Sequence, residues 1–317
     1  QNIPHWDKFV RRLADAKYRV YVTGSNAKML SKEVATTLGG RFFIYDAYPY
    51  SFKEYLAAQH VELKEHWEYD TIQRSEVKRH LNEYFYYGGL PEILSFKNKR
   101  AMLSSLYQKI YLGDICARNN IKNDRVLNIL IKKMAESVKQ PLSYNRLKNV
   151  IVTTGSPISV PTTIDYVDYA SDSWLILPME NEVGKLTEKE MQKKYYFVDN
   201  GLLNLFLMNS ETSLLENMVA VELCRRFGKK NVFFLNAEKE IDFILPDEKL
   251  AIQVSYSIKD ETTYNREVPP LAKYAKAHED WKCLLITYDE EGTEEGISVV
   301  PVWKWLMEAI GSTNLTN

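Results

Sequence analysis

The sequence predicts a multidomain α/β protein. Apolar, β-branched runs alternate with amphipathic helical stretches at both ends. A long helical, tyrosine-rich region lies between them. Breaks rich in Gly, Pro and charge divide the chain into parts expected at 1–47, 48–120, 121–198 and 199–317. With 317 residues, 45% hydrophobic and 26% charged, the chain has length for several cores and an ordinary globular composition. A net charge of -1 removes any general electrostatic case for nucleic acid, so a basic surface must be local. Cys116, Cys224 and Cys283 are far apart and form no CxxC. That argues against a disulfide or zinc framework and for a cytoplasmic setting. No apolar run reaches the length of a membrane span, and no membrane contact is expected.

Residues 1–17 predict a helix after Pro4, with Trp6, Phe9, Val10 and Leu13 at i, i+3, i+4 and i+7. A strand is expected at 18–27, ending in a Thr23-Gly24-Ser25-Asn26 turn. A helix at 28–38, the break Gly39-Gly40-Arg41 and a strand at 42–45 follow. Together these read as half of an α/β sandwich. Ser51 with Glu54 makes a capping box for the next helix. Longer helices are expected at 69–86 and 99–117, separated by Gly88-Gly89-Leu90-Pro91. Tyr84, Phe85, Tyr86 and Tyr87 at helical spacing read as core.

Residues 121–198 have the order of a winged helix: helices at 126–138, 143–154 and 159–176, then strands at 174–180 and 194–199 around a charged loop. A DNA-reading helix presents Arg, Lys, Asn or Gln to base edges. The third helix carries Asp165, Asp168 and Asp172 instead, with no Lys or Arg from Pro157 to Trp174. Basic residues cluster before it, at Lys122, Arg125, Lys132, Lys133, Lys139, Arg146 and Lys148. A DNA backbone or a protein could meet the unit there, and a solvated helix surface fits the same residues.

The last part reads as a helix at 213–227, three strands within 231–257, a helix from Pro270, strands from Cys283 and Ile297, and a closing helix from Val302. Alternation puts Ile241, Phe243 and Leu245 on one face of the second strand and Glu240, Asp242 and Ile244 on the other. In the third strand Gln253, Ser255 and Ser257 oppose Ile252, Val254 and Tyr256. Asp242, Gln253 and Ser255 then share a polar side, which an ordinary solvated strand face would also show.

That layout resembles the PD-(D/E)xK nuclease fold: a helix with a Glu (Glu216), a strand with an Asp (Asp242), then a strand where Gln253-Val254-Ser255 replaces (Asp/Glu)-x-Lys. The resemblance implies a restriction-endonuclease-like α/β domain. In such an enzyme two carboxylates hold a divalent ion and the lysine polarises water. Gln253 is a neutral ligand and Ser255 carries no positive charge, so a degenerate site without a bound metal is expected.

A second resemblance spans nearly the whole chain. VYVTGSNAKMLSKEVATTLGGR (20–41), YPYSFKEYL (48–56), YGGLPEIL (87–94), YLGDICARNNI (111–121) and YFVDNGLLN (196–204) stand in the order found in prokaryotic AAA-type P-loop ATPases with a nuclease-like C-terminal domain. The resemblance implies part of a P-loop α/β core, a helical lid, a winged helix and that terminal domain. Thr23, Ser25 or Asn26 stands where the family places its water-orienting sensor, and Arg41 where it places a cation for the γ-phosphate. A strand-end turn and a surface arginine account for the same residues. No G-x-x-x-x-G-K-[ST] loop occurs. By the resemblance the chain starts just after the acidic metal-binding strand. ATP and Mg²⁺ are therefore expected in the full-length protein and no ATP hydrolysis by this chain alone. The expected function is part of a nucleotide-dependent switch. A Mg²⁺-dependent nuclease and a binding scaffold for nucleic acid or protein are the alternatives.

Overall fold

The computed structural model of the chain describes residues 6–24, 43–237 and 240–308. Helix α1 (Trp6–Asp15) forms as its apolar spacing requires. The strands expected next do not: residues 18–24 and 43–45 are irregular. Tyr18, Tyr21, Phe43 and Tyr45 are largely exposed. Alternating apolar residues supply β propensity, but a strand is stable only beside another, and none pairs with these segments among the described residues. The helix expected at 28–38 lies outside the described residues.

The helical region comprises α2 (Phe52–Ala58), α3 (Thr71–Tyr87) and α4 (Lys99–Gln108). The Ser51–Glu54 capping box is present, with the Glu54 side chain accepting from Ser51 N–H at 2.7 Å. Beyond α4 the expected α-helix becomes a π-helix, Lys109–Ala117. Within it Tyr111 stacks on Tyr107, and its hydroxyl donates to Asp124 O at 2.5 Å.

The middle unit contains α5 (Asp124–Glu136), β1 (Leu142–Ser143), α6 (Tyr144–Thr153), α7 (Val160–Asp172), β2 (Ile176–Met179), α8 (Leu186–Met191) and β3 (Gln192–Phe197). Its antiparallel sheet has the order β1-β3-β2. Helix α7 stops earlier than expected because Trp174 turns left-handed (φ 59) and Leu175 N–H closes on Ala170 O at 3.0 Å. The charged loop between β2 and β3 holds the short α8.

After α9 (Asn200–Asn204), α10 (Glu211–Phe227) leads to β4 (Phe233–Asn236), β5 (Glu240–Leu245), β6 (Leu250–Ser255), α11 (Glu261–Ala277), β7 (Lys282–Thr287), β8 (Gly292–Glu294), β9 (Ile297–Pro301) and α12 (Val302–Met307). The six-stranded sheet runs β4-β5-β6-β7-β9-β8, parallel from β6 through β7 to β9 and antiparallel elsewhere. Strand β8 and the first turns of α11 were not anticipated. The Asp260 cap on Thr263 N–H starts α11 early, and Pro269 and Pro270 lie inside it. Val268, Leu271 and Ala272 hold it on one face of the sheet, and the main core lies on the other.

Strand β5 departs from simple alternation. Phe233 pairs with Ile244 but Leu235 with Ile241, so β5 has one extra residue between them. This bulge turns Ile241 towards the core under α11, together with Ile244, while Phe243 and Leu245 face the main core. The expectation that Ile241 shares a face with Phe243 therefore fails.

Three glycines let the helical region close on Tyr50 and on the turn that follows β3. A Cβ on Gly88 would lie 2.0 Å from the Asp199 carboxylate, one on Gly89 2.3 Å from Tyr50 O, and one on Gly201 2.2 Å from Tyr87 O. Asp199 accepts from Gly89 N–H at 2.7 Å and Gly201 N–H at 2.8 Å. The YGGLP and VDNGL stretches are thus two halves of one backbone contact. Gly201→Ala is expected to cost at least about 2 kcal/mol, read as a lower urea midpoint with an unchanged slope.

Candidate functional site

Helix α10 is buried all round from Leu214 to Cys224, so each of its polar side chains needs a partner inside the protein. Asn217 accepts from Phe197 N–H at 2.7 Å and donates to Phe197 O and Asn200 Oδ1. Glu222 pairs with Arg225 and Arg226. Glu216 faces β3. There the Lys194 ammonium, wholly buried, stands 3.2 Å from Glu216, 3.3 Å from Asp242 and 3.0 Å from Glu240. Tyr196, two residues on and on the same face, donates to Glu216 at 2.8 Å.

The structure therefore brings Glu216 and Asp242 together, as the sequence led us to expect, around a cation the sequence reading missed. Burial opposes the charge on Lys194, but the carboxylates of Glu216, Asp242 and Glu240 overcome it and hold its pKa above the ordinary lysine value. Burial, followed by the Asp242 charge, pushes Glu216 up to about 7 against the pull of Lys194. The cage holds one ammonium among three carboxyl groups, and Glu240 remains half exposed.

Gln253 and Ser255 are not part of the cage. The β5–β6 ladder ends at Phe243–Ile252, and side chains satisfy the backbone groups just beyond it. Gln253 Oε1 accepts from Asp242 N–H at 3.2 Å, and Asp242 Oδ2 accepts from Val254 N–H at 2.9 Å. The Gln253 amide donates to Glu267 at 2.5 Å, and Glu267 is also held by Arg266. Ser255 turns to Ser257 O. A neutral Gln fits where a second Glu would face both Asp242 and Glu267. Burial, then the Asp242 charge, already raises the Glu267 pKa.

Among the described residues no group of His, Cys, Asp or Glu is arranged to hold a metal ion. The residues present do not fit a divalent ion, because an ammonium stands among the carboxylates that would bind it. Thr23 lies exposed in irregular backbone. Ser25, Asn26 and Arg41 lie outside the described residues. On α7 Asp165 is exposed. Of the basic residues flagged beside it, Lys133 pairs with Glu136 and Lys139 donates to Thr212, while Lys122, Arg125, Lys132 and Arg146 are exposed. No helix among the described residues is long and apolar enough to cross a membrane.

A second polar centre joins residues 46–50 to the rest. Arg225 donates to Pro49 O at 2.8 Å, Tyr50 N–H to Gly89 O at 2.8 Å, and the Tyr84 hydroxyl to Tyr50 O at 2.8 Å. Lys229 pairs with Asp46 at 3.2 Å. Asp199, at the same joint, is pushed up to about 6 by burial, against three backbone donors and Arg225.

Residues 1–56 match a family described as AAA domain, and residues 78–213 match a domain of unknown function, DUF8612. An uncharacterized protein of Methanocaldococcus jannaschii is 33% identical over 327 residues, covering 96% of this chain and 72% of that protein. An uncharacterized protein of Haemophilus influenzae is 31% identical over 319 residues, covering 97% and 76%. No solved structure matches the chain.

Two outcomes follow from the cage. Lys194→Met leaves buried carboxylates without their counter-charge and should lower stability by about 3 kcal/mol or more. Adding Glu216→Gln should recover part of the loss in a denaturation series. The second outcome concerns pH. Glu216 and Asp199 have folded pKa values above the ordinary 4.5 and 3.8, so the folded state holds their protons more tightly than the unfolded state. Stability should fall as pH rises from about 4 to 7, through the folded pKa of Asp199 first and of Glu216 last, by on the order of 2–3 kcal/mol per group. Glu216→Gln should flatten the upper part of a thermal-unfolding series across that window.

Proposed function

The chain belongs to the family of the Methanocaldococcus jannaschii and Haemophilus influenzae proteins, with an AAA domain at its N-terminal end. From that premise we propose that it is the responsive arm of a nucleotide-dependent switch. ATP and Mg²⁺ are the ligands proposed for the AAA part of a full-length protein that carries a glycine-rich loop. Thr23, Ser25, Asn26 and Arg41 remain the proposed phosphate-facing residues. Residues 46–50 leave the AAA part and are gripped by Arg225, Gly89 and Lys229. A shift in the AAA part would thereby reach α3 and α10 directly.

We read residues 121–198 as a winged helix and 199–317 as a nuclease-like module that does not cleave. The acidic α7 favours a protein over a DNA backbone as partner for the winged helix. The observation that carries the reading of the terminal module is Lys194. Its ammonium lies among Glu216, Glu240 and Asp242, and among the described residues no group of carboxylates is arranged to hold a metal ion beside it. The module would act in docking, with the cage tying β3 to β5 and α10.

Plasmid incubated with the chain and Mg²⁺ or Mn²⁺ should stay supercoiled. Nicking that disappears in Asp242→Ala would refute the non-cleaving reading. A full-length protein in which ATP leaves hydrogen exchange at 46–50 unaltered would refute the switch.

A further inference from the structure

The two sheets touch only briefly. Residues 180–182 run parallel to β4, with Glu182 N–H donating to Phe234 O at 2.8 Å and Phe234 N–H to Glu180 O at 3.0 Å. Towards Ile176 on one side and Val232 on the other the strands part, leaving a cleft of about 500 Å³. That volume is in the range of small-ligand sites. Its lining is largely apolar, including Ile176, Leu177 and Phe233, with Trp174, Lys229 and Lys230.

The polar groups of the cleft are unequal. Its carboxylate, Glu180, is already held by Lys193 at 3.0 Å. Lys230 is exposed and has no ion-pair partner among the described residues. Lys229 lies 4.2 Å over the Trp174 ring and is shared with Asp46. Trp174 itself adopts a left-handed backbone (φ 59), a place normally taken by Gly after a helix. A bulky side chain persists there only where its surroundings hold it, and such strain concentrates at binding sites. Here the surroundings are Lys229 and the edge of Tyr48, 5.6 Å away.

We propose that this cleft binds a small planar anion, an apolar ring carrying a phosphate, carboxylate or sulfonate, and that the ligand competes with Asp46 for Lys229. The apolar walls take the ring and the two ammonium groups take the charge. Because Asp46 begins the segment gripped by Arg225 and Gly89, occupancy of the cleft loosens one of its anchors. The site would thus act as an effector site for the same segment, and it is separate from the ammonium cage.

The probe is 1-anilinonaphthalene-8-sulfonate, an aromatic anion with a flat naphthalene ring, titrated into the chain without ATP. The outcome is therefore independent of the proposed switch. The dye also senses the exposed rings near the N-terminal end, so the readout is the difference between variants. Lys230→Glu, a substitution at an exposed position, should weaken saturable binding about tenfold. Trp174→Leu should weaken it as well. Asp46→Asn frees Lys229 and should tighten binding about threefold. AMP or salicylate should displace the dye, distinguishing a phosphate from a carboxylate ligand. Equal binding by wild type, Lys230→Glu and Asp46→Asn would overturn the proposal, as would failure of both competitors.

Discussion

The structure depends on one constraint: from Leu214 to Cys224, α10 passes through the middle of the protein with no face in water, yet carries Glu216, Asn217 and Glu222. Each buried polar group must be answered within the protein. The answers come from different places. Asn217 stitches the end of β3 to α9, Glu222 gathers two arginines, and Glu216 calls in Lys194 and Tyr196. Helical region, small sheet and large sheet are therefore organised around a single helix, and one core runs from Phe52 to Leu306.

The same helix also carries the grip on residues 46–50. Arg225 spans Glu222 on its own helix and Pro49 O on the incoming segment. The guanidinium suits this task because it can serve several acceptors at fixed angles. Next to it the three close-packed glycine contacts allow no side chain larger than hydrogen. Such close packing leaves the joint little room to bend. Tight packing and charge thus do complementary work: glycines set the distance, and buried ions set the direction.

Much of this was legible in the sequence. The capping box at Ser51, the breaker at Gly88 and the three strands of 231–257 follow from local rules, and local rules suffice where residues close in sequence make the structure. Glu216 and Asp242 were foreseen as neighbours. Lys194 was not, because its role depends on β3 lying against α10, which no local pattern shows. The available signal was a lysine heading a run of aromatic residues, with a tyrosine two places on. Ile241 was misplaced because an extra residue in β5 breaks the period on which the reading relied. The strands expected at 18–27 and 42–45 had the right residues, but none of the described residues pairs with the described parts, 18–24 and 43–45.

The ammonium and its carboxylates also bear on how the molecule can be divided. Lys194 reaches Asp242 across 48 positions of sequence and Glu216 across 22. The break suggested by pattern alone, between 198 and 199, falls between the cation and its acids. Cut there, the C-terminal fragment would keep a negatively charged hollow, and the N-terminal one a stranded positive charge on the central strand of the small sheet. The smallest C-terminal piece that keeps this centre intact therefore extends upstream to include β3.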